Sequence, residues 1–242
     1  MNIEKKALLY AGKAKSLYHT NDPDLLIAEF RDDTTAFDGE KSEALADKGR
    51  VNNRISAHIM TVLNEAGIPT HFEGMCSDQE AVVKKLDMIP LESVMRNVAA
   101  GSLCRRLGVE SGMTLARPLY ELFLKNDPLH DPFINEDHAL LFGWATQAQL
   151  DEMQQLTTRI NSVLSDLFDA TGFLLVDAKY EFGVGADGKL YLGDEISPDS
   201  CRIWDKETRQ SFDKDRFRQD LGGVVEAYRD MATKLGVNLS DR

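Results

Sequence analysis

The chain has 242 residues, a net charge of −12 and an isoelectric point near 4.9. That length suits one large domain or two small lobes around a cleft, and 43% hydrophobic with 28% charged residues excludes wholesale disorder. The acidic balance lacks the basic surface of a non-specific nucleic-acid binder, so no DNA or RNA partner is expected and any anion site must gather its Lys and Arg locally.

Along the chain, Leu8 to Tyr10, Ser16 to Tyr18 and Leu25 to Phe30 are short apolar runs of strand length. From Val51 to Ala66 the period becomes helical through Ile55, Ile59, Val62 and Leu63, and Gly67 and Pro69 supply the stop. Ala81 to Leu86 and Leu91 to Val98 return to strand patterning, with Pro90 marking Asp87 to Pro90 as a hinge between lobes. Residues 108–145 read as irregular. Thr146 and Gln149 form a capping box for a helix carrying Leu150, Met153, Leu156, Ile160, Val163, Leu164 and Leu167, closed by Gly172. Phe173 to Val184 and Lys189 to Ile196 form a hairpin turning at Asp187-Gly188, and one last helix runs from Phe217 to Leu235. Hairpins and helices without regular βαβ alternation predict an α+β fold on mainly antiparallel sheets.

Cys76, Cys104 and Cys201 are odd in number, far apart and outside any CxxC, which favours free thiols over a disulfide framework or a zinc site. The first ten residues lack the apolar run and cleavage site of a signal peptide, and no stretch approaches the ~20 apolar residues of a membrane span. A cytoplasmic protein without a membrane partner is expected.

Four segments carry groups suited to chemistry. Gly12-Lys13-Ala14-Lys15 is a tight turn whose N–H groups and two lysines suit phosphates, although such a turn is often only a solvated hairpin and no Walker A or GxGxxG pattern is present. Asp177, Lys179 and Glu181 share one strand face, and the hairpin brings Glu181 towards Asp194, a carboxylate pairing that suits Mg²⁺ completed by phosphate oxygens. Ser197-Pro198-Asp199-Ser200-Cys201-Arg202 ends in a guanidinium fork for phosphate or carboxylate. Arg96 leaves a strand just before Gly101-Ser102, read as a small turn with N–H and hydroxyl donors for an anion. His19, His58, His71, His130 and His138 form no ligand motif, and no GxSxG is present.

Met88 to Ser102 and Leu175 to Gly183 resemble the two signature segments of the SAICAR synthetase family, and the similarity extends over nearly the whole chain, including Tyr10 to Lys15, Lys84 to Met88, Leu122 to Asp127, His130 to Pro132, Gly193 to Glu195 and Trp204 to Thr208. The resemblance implies two lobes, divided as 1–87 for ATP and 88–242 for substrate and metal, with nucleotide between them in a distantly kinase-like arrangement. It implies a homodimer, ATP and Mg²⁺, and the joining of L-aspartate to the carboxylate of an aminoimidazole ribonucleotide (CAIR) in purine synthesis. Carried over position by position, Gly12, Lys13, Ala14 and Lys15 would cover the phosphates. Lys84, Leu86 and Met88 would belong to the hinge at adenine, Lys125 would sit near the phosphates, and Glu181 and Asp194 would hold Mg²⁺. Arg96, Ser102, Asp177, Lys179, Asp199 and Arg202 would surround the ribonucleotide. Cys201 departs from an expected Ser or Thr, and Phe37 sits in a loop that varies among members.

A carboxylate resists amine attack because its oxygen leaves poorly, so transfer of the γ-phosphoryl group to give an acyl phosphate is the expected activation, with amine attack before phosphoryl transfer as the other order of steps. Lys13, Lys15 and Lys125 would stabilise charge, Lys179 would orient the carboxylate, and Asp177 is the candidate base. A small-molecule kinase and a non-catalytic nucleotide-binding regulator are the rival readings.

Overall fold

The computed structural model describes residues 3–36 and 41–240. Phe37 lies outside the described residues.

The first sheet is antiparallel, in the order β1 (Lys5–Ala11), β2 (Lys15–Thr20), β3 (Leu25–Phe30), β7 (Glu80–Lys84) and β6 (Phe72–Met75). A small hairpin of β4 (Asp33–Ala36) and β5 (Lys41–Ala44) leads into helix α1 (Lys48–Glu65). No local side chain caps that helix. Instead the Asp32 carboxylate accepts from the N–H groups of Asp47 (3.2 Å) and Gly49 (2.9 Å), satisfying donors every helix start leaves orphaned. Gly49 is needed there, because a Cβ would stand 2.3 Å from the Phe30 carbonyl oxygen.

The second sheet runs β10 (Phe133–Ile134), β9 (Thr114–Leu124), β8 (Asp87–Val98), β11 (Phe173–Val184) and β12 (Leu190–Gly193), with β13 (Cys201–Asp205) also paired to β11. The short helices α2 (Gly101–Leu107) and α3 (Glu136–Leu141) flank it. The long helix α4 (Gln147–Ala170) packs on it, started by the predicted capping box: Thr146 Oγ1 accepts from Gln149 N–H and the Gln149 amide oxygen from Thr146 N–H. The last helices are α5 (Asp215–Arg218) and α6 (Val224–Lys234). The main core gathers Ile55, Ile59 and Leu63 of α1, Met153, Ile160 and Phe168 of α4, Tyr228 and Met231 of α6, and Phe173, Tyr180 and Phe182 of β11. Each such side chain contributes about 1.5–3 kcal/mol on burial. Leu26, Ala28, Phe30, Ala81 and Val83 form a smaller cluster beneath the first sheet.

The α+β antiparallel reading holds, with four local corrections. Pro90 lies within β8 rather than in a hinge, and the short link between the sheets is Lys85-Leu86. Residues 108–145 contain the eleven-residue strand β9; Pro118 is accommodated because β10 pairs only with Leu122 and Phe123, leaving the Pro118 stretch at an edge. Gly101-Ser102 opens helix α2 rather than forming a free turn. The single C-terminal helix is two, because Gly222 and Gly223 both take positive φ (67° and 59°), which interrupts the helical path.

Candidate active site

One face of the second sheet forms the floor of the site. Strand periodicity puts Asp177, Lys179 and Glu181 of β11 on that face, while Ala178, Tyr180 and Phe182 enter the main core behind it. Antiparallel register sets Asp177 opposite Arg96 and Glu181 opposite Glu92. Two buried carboxylates facing each other repel. Lys179 resolves this: its Nζ lies 2.6 Å from Glu92 Oε1 and 3.6 Å from Glu181 Oε1. Lys125, just beyond β9, bonds Glu181 from the other side. Sequence reading overlooked Glu92, although Glu92, Val94 and Arg96 alternate on one strand face and carry the signal.

The turn from Gly12 to Ala14 lies over this floor. Gly12 N–H donates to Lys15 C=O (2.8 Å). Arg31, which sequence reading missed, donates to the Gly12 carbonyl (2.5 Å), the Lys13 carbonyl (3.2 Å) and Ser16 Oγ (2.8 Å). Lys13 of the turn and Lys15 at the start of β2 reach segments that follow strands of the second sheet: Lys13 pairs with Asp127 (3.0 Å) after β9, and Lys15 pairs with Asp194 and Glu195 (the latter at 3.1 Å) after β12. Between turn and floor is a cavity of about 560 Å³. One end is apolar, with Leu17, Leu26, Ala28, Phe30, Met60 and Val83, closed by Leu86 and Met88. The other end carries Lys15, Lys125, Glu181 and Asp194. Apolar surface at one end, and lysines with carboxylates that a divalent cation could join at the other, suit a nucleotide base and its phosphates. The Lys84 ammonium turns to Glu73, so it reaches the cavity wall as part of the hinge strand rather than as a free cation. His71, also on this wall, is pushed down to about 4 by burial, with Lys15 adding to the shift.

Glu181 and Asp194 both line this end, and fixed cations accompany them: Lys125 bonds Glu181 and Lys15 bonds Asp194. Burial favours the neutral form of Asp194, yet Lys15, Lys125 and Lys179 outweigh it and hold the carboxylate well below its ordinary range. Among the described residues no three His, Cys, Asp or Glu side chains are grouped to hold a metal alone. A hard pair of carboxylates fits Mg²⁺ when phosphate oxygens complete its shell, and Glu181 and Asp194 are the residues that would hold it.

A second cavity of about 340 Å³ adjoins the first. Lys13, Glu92, Lys179, Asp199, Ser200 and Lys214 line both. Its end is a buried guanidinium–carboxylate cluster. Arg96 donates to Glu121 (2.5 Å), Asp177 (2.8 Å) and Ser102 Oγ (3.0 Å). Arg202 donates to Asp177 (3.0 Å) and Asp215 (2.8 Å), and Arg218 also bonds Asp215 (2.5 Å). Gly101 makes room for Arg202, whose guanidinium nitrogens lie 2.6 and 2.8 Å from where a Cβ would stand. Asp177 therefore receives hydrogen bonds from two arginines. That geometry suits holding the forks in place and is ill-suited to the base role expected of it.

Asp199 is committed to the protein as well. It accepts from Lys48 Nζ (2.7 Å), Asn52 Nδ2 (3.0 Å) and Tyr228 Oη (2.8 Å), tying α1 and α6 to the loop before β13. Burial opposes its charge, but Lys48 and Lys214 outweigh burial and hold it down to about 2. Cys201 is buried with its thiol pushed up to about 12 by burial, an unreactive group packed against Ser200.

The family model of SAICAR synthetase matches residues 8–235. The chain belongs to the SAICAR synthetase family. It is 65% identical to the phosphoribosylaminoimidazole-succinocarboxamide synthase of Coxiella burnetii, over 99% of this chain and 100% of that protein. The crystal structure of the Ehrlichia chaffeensis synthase superimposes with a TM-score of 0.94 at 42% identity, covering 98% of this chain and 100% of that one. A SAICAR synthetase (type 2) in complex with ADP superimposes at 0.93 with 43% identity and the same coverage. Family membership makes the chain an ATP-dependent amide-forming ligase of purine biosynthesis. Within this SAICAR synthetase fold, the expected site residues all line the two cavities or bond directly to residues that do. Lys48, Arg31, Glu92, Glu121, Asp215, Lys214 and Arg218 are the additions that sequence reading missed.

Proposed function

We propose that the chain joins L-aspartate to the carboxylate of CAIR, splitting ATP to ADP and phosphate and giving SAICAR. The observation that supports this most is the abutment of two cavities with different chemistry along one charged sheet face. A nucleotide in the larger cavity, its base towards Leu86 and Met88 and its phosphates towards Gly12, Lys13, Ala14, Lys15 and Lys125, directs the γ-phosphoryl group at the shared boundary. A ribonucleotide held by Arg96, Ser102 and Arg202 presents its carboxylate at the same boundary, near Lys179. Bound Mg²⁺ on Glu181 and Asp194 would neutralise phosphate charge. The ADP named for a solved relative supports nucleotide binding by the family.

Amide formation then needs a carboxylate oxygen converted to a leaving group. Lys13, Lys15, Lys125 and Lys179 would favour the extra negative charge of phosphoryl transfer, and closely held reactants need no diffusional encounter. Amine attack on the acyl phosphate expels inorganic phosphate. The reading includes an ATP-binding part over residues 1–87 and a substrate part over 88–242, with α1 packed into the core of the second. It also includes a cytoplasmic homodimer acting on small molecules, without nucleic-acid or membrane partners. Purified protein with Mg·ATP and CAIR should release ADP only when L-aspartate is added, with SAICAR identified by mass. ADP release independent of aspartate would indicate a kinase or an uncoupled acyl phosphate, and no turnover despite nucleotide binding would indicate a regulator.

A further inference from the structure

Among the described residues six lysines line the two cavities, and five of them are in ion pairs. Lys13 pairs with Asp127, Lys15 with Asp194 and Glu195, Lys84 with Glu73, Lys125 with Glu181, and Lys179 with Glu92 and Glu181. Lys214 is different: it lines both cavities, yet it joins no ion pair among the described residues. Its backbone N–H is fixed to Pro198 C=O (3.0 Å) at the start of α5. The acids on either side of it are turned away. Asp213 accepts from the N–H groups of Ile203 (2.8 Å) and Asp215 (2.7 Å), and Asp215 is held by Arg202 and Arg218.

The groups facing Lys214 come from three directions: Asp199 and Glu195 from the loop before β13, Lys48 from α1 and Arg218 from α5. Asp199 is already engaged by Lys48, Asn52 and Tyr228. Burial, helped by Arg218 and Lys48 and opposed by Asp199 and Glu195, pushes the Lys214 ammonium below its ordinary range. The paired lysines Lys15, Lys84, Lys125 and Lys179 are shifted the opposite way. A half-buried amine lining the cavities, with no ion-pair partner among the described residues, is placed to serve as a base.

We propose that Lys214 is the base that takes the proton from the attacking amine of aspartate. This rests on the ligase reading above. The amine lone pair forms the C–N bond to the acyl carbon, and the bond from that carbon to the phosphoryl oxygen breaks with its electron pair on the phosphate. The surplus N–H proton moves to neutral Lys214 Nζ. Lys214 then hands it to the departing phosphate, which leaves as hydrogen phosphate, and the amine is neutral again.

The test compares Lys214→Arg and Lys214→Met with wild type under saturating Mg·ATP, CAIR and aspartate across pH. Arginine keeps the cation but cannot act as a base near neutrality. A base role lowers kcat in both variants by about 10²–10⁴-fold, with KM for CAIR and ATP nearly unchanged. The acid limb of the kcat profile disappears with it. A Lys214→Ala protein regains turnover with added methylamine in proportion to the free-base concentration. ADP binding by each variant, measured by calorimetry, serves as the folding check. The proposal is overturned if Lys214→Arg retains wild-type kcat, or if the whole loss falls on KM for CAIR, since either result makes Lys214 an anion anchor. Wild-type protein that forms no SAICAR would sink the ligase reading itself, before any variant is compared.

Discussion

Asp199, expected at the ribonucleotide, lines both cavities and also carries a structural load that sequence alone does not show. Its carboxylate is buried and engaged by Lys48, Asn52 and Tyr228. Removing one member of such a pair leaves an uncompensated charge, so Asp199→Asn should cost about 3–5 kcal/mol at neutral pH in urea unfolding. The sign of the pH dependence follows from the depressed value. The ordinary carboxyl titrates near 3.8 and this one is held down to about 2, so its contribution is present above pH 3.8 and is lost as pH falls through about 2. The stability gap between wild type and variant should therefore narrow steadily over that acid window. Glu181→Gln removes one hard oxygen donor while keeping the shape. It should raise the Mg²⁺ concentration needed for half-maximal turnover about tenfold or more, leaving Mg²⁺-free ADP binding little changed in calorimetry. Asp177, Lys179 and Glu181 were legible because strand alternation alone assigns them to one face. Lys48 and Arg31 were not, because Lys48 meets Asp199 far away in the chain and Arg31 reaches the site through the carbonyls of Gly12 and Lys13, where no local pattern points.

At the scale of elements, the start of α2 positions the substrate end of the site. Gly101 has φ +57° and lies against the Arg202 guanidinium. Gly101→Ala both strains the backbone and pushes Arg202 from Asp177 and Asp215. The expected result is a rise in KM for CAIR of about 10-fold or more with KM for ATP nearly constant, read from steady-state kinetics. Helices α1 and α4 were legible from their apolar stripes and stops. Strand β9 was hidden because Pro118 and an exposed first half break the alternation. The two-helix C-terminus was hidden because apolar residues continue at helical spacing across Gly222-Gly223, where only the backbone conformation reveals the break. Pro90 was read as a boundary, yet the register shift between the Glu181 and Gly183 pairings accommodates it inside β8.

For the whole molecule, the −12 net charge contrasts with the smaller cavity, where Lys13, Arg96, Lys179, Arg202, Lys214 and Arg218 outnumber Glu92, Asp177 and Asp199, while the larger cavity balances its lysines with acids. In an otherwise acidic chain, that local excess favours an anionic substrate group at the smaller cavity. No helix among the described residues is long and apolar enough to cross a membrane. The proposed homodimer predicts a light-scattering mass of twice 27.1 kDa at micromolar concentration, and a mass of one chain would remove that part of the reading. The central claim is that ATP is spent on the CAIR carboxylate itself. The most direct measurement supplies CAIR labelled with oxygen-18 in its carboxylate, together with Mg·ATP and L-aspartate, and weighs the inorganic phosphate. Carboxylate activation predicts one labelled oxygen in each phosphate, in step with ADP and SAICAR. Unlabelled phosphate accompanying ADP would mean that water, not the carboxylate, took the phosphoryl group, and would contradict the mechanism at its first step.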